Sequence, residues 1–119
     1  MAKQIILYNL KDGVKEEDYV KWCESYKGPL LLGFRGAKSF TLLKMMGGLE
    51  GDGQKGIQAT QTSGPYKYIG IYDLESLEDY AKLRQTKEYK EEFYPRWYSE
   101  WVADFCTLSG IEIYHGENT

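Results

Sequence analysis

The chain is short of the residues from which most catalytic centres are built. Among 119 residues it has two cysteines, Cys23 and Cys106, and a single histidine, His115. Two cysteines cannot make a disulfide scaffold, and these two lack metal-ligand spacing. Both stand in apolar company, where a free thiol behaves as a small hydrophobe. One histidine excludes a multi-histidine metal site within one chain, and a Ser-His-Asp triad would have to recruit it from a tail ending Gly116-Glu117-Asn118-Thr119. Neither a metal nor another cofactor is expected.

Long apolar runs are missing too. Leu30-Leu31-Leu32 is far too short to span a bilayer. Ile5-Ile6-Leu7 follows the start without the basic region or long apolar core of a secretory leader. Lysine and arginine total 15 against 18 aspartates and glutamates, a net charge of −3, and no basic cluster is interleaved with aromatics. This balance speaks against nucleic acid and membrane surfaces as partners. It predicts a cytoplasmic protein.

Aromatic residues, by contrast, are abundant at 15%, with 11 tyrosines. Tyr89, Phe93, Trp97, Trp101 and Phe105 recur every fourth residue, beside Tyr94 and Tyr98. On a helix begun at Thr86 such spacing sweeps a wide aromatic flank. Pro95 lies in its middle, lacks an N–H for the Glu91 carbonyl, and predicts a kink or break.

The rest of the chain alternates strands and helices. Lys3–Leu10 has period two and ends in Lys11-Asp12-Gly13, a strand and a turn. Glu16–Tyr26 reads as a helix with Tyr19, Trp22, Cys23 and Tyr26 on one face and acids in its first turn. Gly28-Pro29 ends or bends it, and Leu30–Phe34 could add a further turn. Ser39–Met46 is a strand with two apolar faces. Gly47–Gly64 carries six glycines and predicts a mobile hairpin loop inserted between strands. Tyr66–Leu74 is the third core strand. Ser76 caps a helix over Leu77–Gln85, and Thr107–His115 is the last strand.

An internal echo sets the topology. Glu17-Asp18-Tyr19-Val20-Lys21 returns as Glu78-Asp79-Tyr80-Ala81-Lys82, and Leu7-Tyr8-Asn9-Leu10 returns as Ile71-Tyr72-Asp73-Leu74. A repeated strand–helix unit, each followed by a strand, gives β-α-β-β-α-β in one α+β domain spanning residues 1–119. The sheet is then four-stranded and antiparallel with helices on one face. Ile5, Leu7, Ile69, Ile71, Ile111 and Ile113 suit the helices. Gln4, Tyr8, Tyr66, Tyr68, Tyr72, Glu112 and Tyr114 would fall on the open face. An aromatic face of that size is expected to meet a second copy and enclose a tyrosine-lined dimer cavity.

The opening strand, the run Gly13-Val14-Lys15-Glu16-Glu17-Asp18-Tyr19 with Trp22, and the pairs Gly28-Pro29, Ser39-Phe40 and Pro65-Tyr66 resemble the REDY-like HapK family. That resemblance implies a ferredoxin-like fold of the dimeric α+β barrel kind and a homodimer. Some members lie in biosynthetic clusters for prodiginine-type pigments and related indole or pyrrole metabolites. The wider superfamily includes cofactor-free oxygenases, lactone isomerases, cyclases and haem-handling proteins. Several relatives carry a histidine just before the proline that follows the first helix; here Lys27-Gly28 stand there.

The implied function is binding of an apolar or aromatic metabolite in the dimer cavity, with metal-free cyclase, isomerase or oxygenase chemistry as the catalytic form. Glu112 is the candidate acid or base once desolvated. Tyr8, Tyr68, Tyr72, Tyr114, Trp97 and Trp101 are the candidate ligand contacts, with Gly70 leaving room. A non-catalytic accessory protein of the same fold is the alternative, favoured by so few acid–base groups among so many rings. Haem handling through His115 is a third reading.

Overall fold

The computed structural model describes residues 1–118 apart from 53, 55 and 61–64. Four strands form the main sheet: β1 (Ala2–Leu10), β2 (Ala37–Lys44), β5 (Tyr68–Leu74) and β6 (Val102–Ile111). Their order is β2-β5-β1-β6, every pair antiparallel. A separate hairpin of β3 (Gly48–Asp52) and β4 (Gly56–Thr60) occupies the glycine-rich insertion. The stretch expected as a mobile hairpin loop thus carries two paired strands, and its positions 53, 55 and 61–64 lie outside the described residues.

The first helical stretch is α1 (Glu16–Trp22), a wider π-helical turn over Cys23–Lys27, and α2 (Gly28–Leu32). The chain therefore continues through Gly28-Pro29 instead of ending there. The Gly28 N–H reaches back five residues to the Cys23 carbonyl, and Pro29 falls in the first turn of α2, where a missing N–H costs little. A Cβ at Gly28 would come within 2.8 Å of the Cys23 oxygen, so glycine is required.

The second stretch begins with α3 (Leu77–Gln85), whose Ser76 cap accepts from the Asp79 N–H at 3.2 Å. A π-helical turn over Glu88–Phe93, α4 (Tyr94–Arg96) and a second π turn over Trp97–Trp101 follow. Pro95 breaks nothing, because the widened turns on either side displace the carbonyl ladder it would otherwise strike. The helix does stop earlier than its aromatic period suggests. Val102 is already extended, so Phe105 belongs to β6 rather than to the helix.

The strand parities are as expected within β1 and β5, but the two sheet faces are exchanged. Tyr8, Tyr68 and Tyr72 are buried at 0%, 6% and 3% exposure beneath the helices of the same chain. Ile5, Leu7, Ile69 and Ile71 point the other way and are only partly buried. The reason is geometric and polar. The helices bring their own rings, and each tyrosine hydroxyl finds a partner on them: Tyr19 for Tyr8, Glu16 for Tyr68, and the Leu31 carbonyl for Tyr72. Aliphatic side chains would neither span that layer nor satisfy its polar groups.

β6 also ends before its predicted limit. Ile111 pairs with Ala2, and the last backbone hydrogen bond among the described residues runs from the Glu112 N–H to the Met1 carbonyl at 2.9 Å. Ile113 and Tyr114 stand in solvent at 94% and 85% exposure.

Candidate ligand site between the sheet and the helices

Among the described residues, Lys27 is the one buried side chain of a charged type. Its side chain is 1% exposed. The ammonium lies 5.3 Å from the Tyr8 ring centre, 5.5 Å from Tyr19, 5.0 Å from Phe40 and 5.4 Å from Trp97. Ring faces attract a cation, whereas loss of water opposes it. Loss of water prevails: burial pulls the Lys27 amine down to about 8 from its ordinary 10.5.

The Tyr19 hydroxyl is the meeting point of this cage. It receives the Trp97 indole N–H at 3.0 Å and lies 2.9 Å from Lys27 Nζ and 2.8 Å from the Tyr8 hydroxyl. A phenol oxygen accepts two bonds and donates one. With Lys27 charged, Tyr19 accepts from Lys27 and Trp97 and donates to Tyr8. With Lys27 neutral, Tyr19 can donate to Nζ and accept from Tyr8 instead. The protonation of Lys27 thus sets the direction of the chain. Burial pushes both phenols far above the ordinary tyrosine range, so neither ionises near neutrality.

A cleft of about 700 Å³ opens beside this cage. Its floor is the helix-facing row Ile6, Phe105, Thr107 and Ser109 of β1 and β6, and its walls include Tyr80, Tyr89, Phe93, Tyr94 and Trp97. β6 presents small Thr107 and Ser109 to it at the edge of the sheet, opposite Ile6 and Gln4 of β1. Arg84 and Lys90 supply positive charge at its exposed rim, and neither forms an ion pair among the described residues. A smaller cavity of about 20 Å³ lies deeper, bounded by Gln4, Lys27, Phe40, Gly70 and Tyr72. Ile6, Tyr80, Tyr89 and Phe93 line both spaces. A further depression between α2 and α3, about 500 Å³, lies on the outer surface away from Lys27.

The structure gathers only part of the predicted site. Tyr8 and Trp97 meet around Lys27 with ring centres 5.4 Å apart, and Tyr68 stacks on Tyr8 at 5.9 Å without reaching Lys27. Trp97 alone of the predicted set lines the cleft, and Tyr72 bounds the small cavity. Trp101 packs instead against Tyr19 and Trp22 at 5.6 and 5.5 Å. Gly70 does border free space: a Cβ there would make ordinary contact with Phe40 at 3.5 Å.

Glu112 and Tyr114 are elsewhere. The Glu112 carboxylate lies 3.1 Å from His115 Nδ1 and acts on Lys3, at the tail and on the helix-free side. His115 is exposed between Glu112 and Glu117 and borders neither the cleft nor the small cavity. Opposed residues share a face, so Ser109 and Ile111, opposite Gln4 and Ala2, lie on the tyrosine side and Glu112 falls on the other; grouping Ile111 with Ile5 and Leu7 reverses this parity.

The residues that sequence reasoning missed are Lys27, Gln4, Tyr19 as a polar hub, and Arg84. A signal existed for one of them. Tyr19, Cys23 and Lys27 are spaced by four, which puts a lysine on the buried face of the first helix.

The family model for REDY-like protein HapK matches residues 2–113. The chain belongs to the REDY-like HapK family. Its backbone is similar to that of HapK from Hahella chejuensis, with TM-score 0.70 and 12% identity over 100% of this chain and 99% of that one. A hydroxynitrile lyase from Passiflora edulis matches with TM-score 0.64 and 13% identity over 97% of this chain and 96% of that one. A dimeric ferredoxin-like protein of unknown function from Thermobifida fusca matches with TM-score 0.61 and 14% identity, covering 92% and 88%. At these identities the likeness concerns the fold, which is ferredoxin-like. No curated protein matches the sequence. Among the described residues no helix is long and apolar enough to cross a membrane.

Proposed function

We propose that this HapK-family chain binds a flat, largely apolar metabolite bearing an acidic group, and that it does so in the cleft under the second helical stretch. The observation that carries this reading is the cleft itself: aromatic walls around about 700 Å³, with Arg84 and Lys90, which form no ion pair among the described residues, at its rim. Pockets of that size with few, convergent polar groups are the usual form of a small-molecule site. The aromatic walls favour ring systems through stacking, and the rim favours a carboxylate or similar anion.

The ligand would thus lie between the sheet and the helices of one subunit, not between two tyrosine faces. The homodimer keeps a role through the other sheet face. There Leu43, Ile69, Leu7 and Cys106 form one row across the four strands, and Thr41, Ile71, Ile5 and Leu108 form the next. Polar rows frame them, with Ser39, Asp73 and Lys3 on one side and Asn9 with Asp104 on the other. Such a band fits a second copy of the same sheet, an arrangement supported by the dimeric description of the Thermobifida fusca relative.

Equilibrium dialysis against indole-3-carboxylate and cyclohexanecarboxylate tests the cleft. The reading expects saturable binding of the aromatic acid, at least ~10-fold tighter than the aliphatic one. It also expects loss of that binding in Thr107→Trp, which fills the cleft from an exposed position. Equal affinity for both acids, or binding untouched by Thr107→Trp, would overturn it.

A further inference from the structure

Two residues with unused hydrogen-bond donors, Lys27 and Gln4, border the small inner cavity. Lys27 carries up to three protons, yet among the described residues its only hydrogen-bond partner is the Tyr19 hydroxyl. Gln4 is 0% exposed; its Oε1 accepts from the Ser109 hydroxyl at 2.5 Å, and its Nε2 has no partner among the described residues. Native interiors pair nearly all such groups, and an unpaired one calls for an explanation such as a bound water or ion; Trp22 Nε1, Tyr26 Oη and Trp101 Nε1 are unpaired too, but of the four residues Gln4 alone borders this cavity.

The space between them has the right size and the right access. About 20 Å³ holds one oxygen atom or one water. The remaining wall is largely apolar: Ile6, Leu31, Phe40 and Phe93. Ile6, Tyr80, Tyr89 and Phe93 separate it from the cleft and belong to both. A ring seated in the cleft can therefore push a substituent oxygen inward between these side chains. Among the described residues no carboxylate pairs with Lys27; the Cys23 thiol acts on its charge and the Tyr19 hydroxyl is its hydrogen-bond partner. Facing Lys27 from the other packed elements are the Tyr8, Phe40 and Trp97 rings, all uncharged near neutrality.

We infer that Lys27 and Gln4 form an oxyanion site at the inner end of the cleft, selecting ligands whose ring or conjugated system carries an ionisable hydroxyl, a phenol or an enol. When the ligand arrives as its anion, the Lys27 ammonium and the Gln4 amide donate to the oxygen. When it arrives neutral and meets the free amine, the O–H bond breaks and an N–H bond forms on Nζ. The electron pair stays on oxygen, so the conjugate base is held in a water-poor place. The low-dielectric surroundings strengthen this attraction beyond its value in water.

The inference rests on the cleft as the ligand site, and one probe separates the two. 4-Nitrophenol changes its visible absorption on ionising, and 4-nitroanisole, which cannot ionise, reports occupancy of the cleft alone. Equilibrium dialysis measures the occupancy of both. The bound nitrophenol should titrate about one pH unit or more below its value in buffer, equivalent to ~10-fold or more preference for the phenolate. Lys27→Met, which keeps the apolar stem, should bind nitroanisole normally and raise the bound nitrophenol titration to the buffer value or above. Gln4→Met should give a smaller rise, and it decides the matter if Lys27→Met does not fold. Nitrophenol bound with an unaltered titration, or a shift that survives in the folded variants, would overturn the oxyanion site and leave the cleft standing. No binding of either probe would overturn both.

Discussion

The Trp97 indole donates to the Tyr19 hydroxyl at 3.0 Å, joining residues 78 positions apart at the point where helix, helix and sheet meet. Because Tyr8 and Lys27 lie against the same oxygen, removing that one atom orphans several buried groups at once. Tyr19→Phe is therefore expected to lower stability by about 2–4 kcal/mol, from two donors losing their acceptor. Tyr8→Phe removes an end of the chain rather than its hub and should cost only about 1 kcal/mol. Urea denaturation of both variants checks the order. Equal losses would mean that Tyr19 is not the hub.

Stability should rise with pH through the mildly alkaline range. Lys27 is held at about 8 in the fold against 10.5 ordinarily, so between those values the unfolded chain binds more protons than the folded one. Stability increases with pH wherever that is so. At ~1.36 kcal/mol per tenfold, complete discharge of Lys27 would contribute about 3 kcal/mol. Tyr8, Tyr19 and Tyr89 act oppositely: burial pushes each up, so above about pH 10 the unfolded chain loses their protons first and stability falls. Denaturation midpoints should peak near pH ~10. The rise should vanish in Lys27→Met while the fall above pH ~10 remains.

The helix-free face gives the test of assembly. Leu43 and Leu108 are 40% and 51% exposed in one chain, so charging them costs the monomer little. Sedimentation of the parent should give twice 13.8 kDa. Leu43→Glu combined with Leu108→Glu should give 13.8 kDa with an unchanged far-ultraviolet dichroism spectrum. A parent of single-chain mass would leave the aliphatic band without its partner.

Local spacing was enough to place most of the elements. Ser76 and its acidic first turn gave the start of α3, the glycine-rich insertion gave a hairpin, and the Glu-Asp-Tyr echo placed Tyr19 and Tyr80 on equivalent buried helix faces. Period-two alternation likewise kept Tyr8, Tyr68 and Tyr72 on one face of the sheet. These features depend on neighbours within a few residues, and the sequence contains those neighbours.

Which face the helices cover is a different kind of fact. Ile5 and Tyr8 are both apolar enough to be buried, so hydrophobicity alone cannot rank them. The ranking came from partners far along the chain: Tyr19, Leu31 and Glu16 take the tyrosine hydroxyls, and nothing there would take an isoleucine's place. The same holds for Lys27. Its burial among Tyr8, Phe40 and Trp97 needs three separate elements to close around one ammonium, and Gly28, which the π-helical turn over Cys23–Lys27 requires, reads in the sequence as a helix end. Sequence determined the elements and their alternation. Tertiary structure decided the face, the cage and the cleft, because each depends on polar groups satisfied across long separations in the chain.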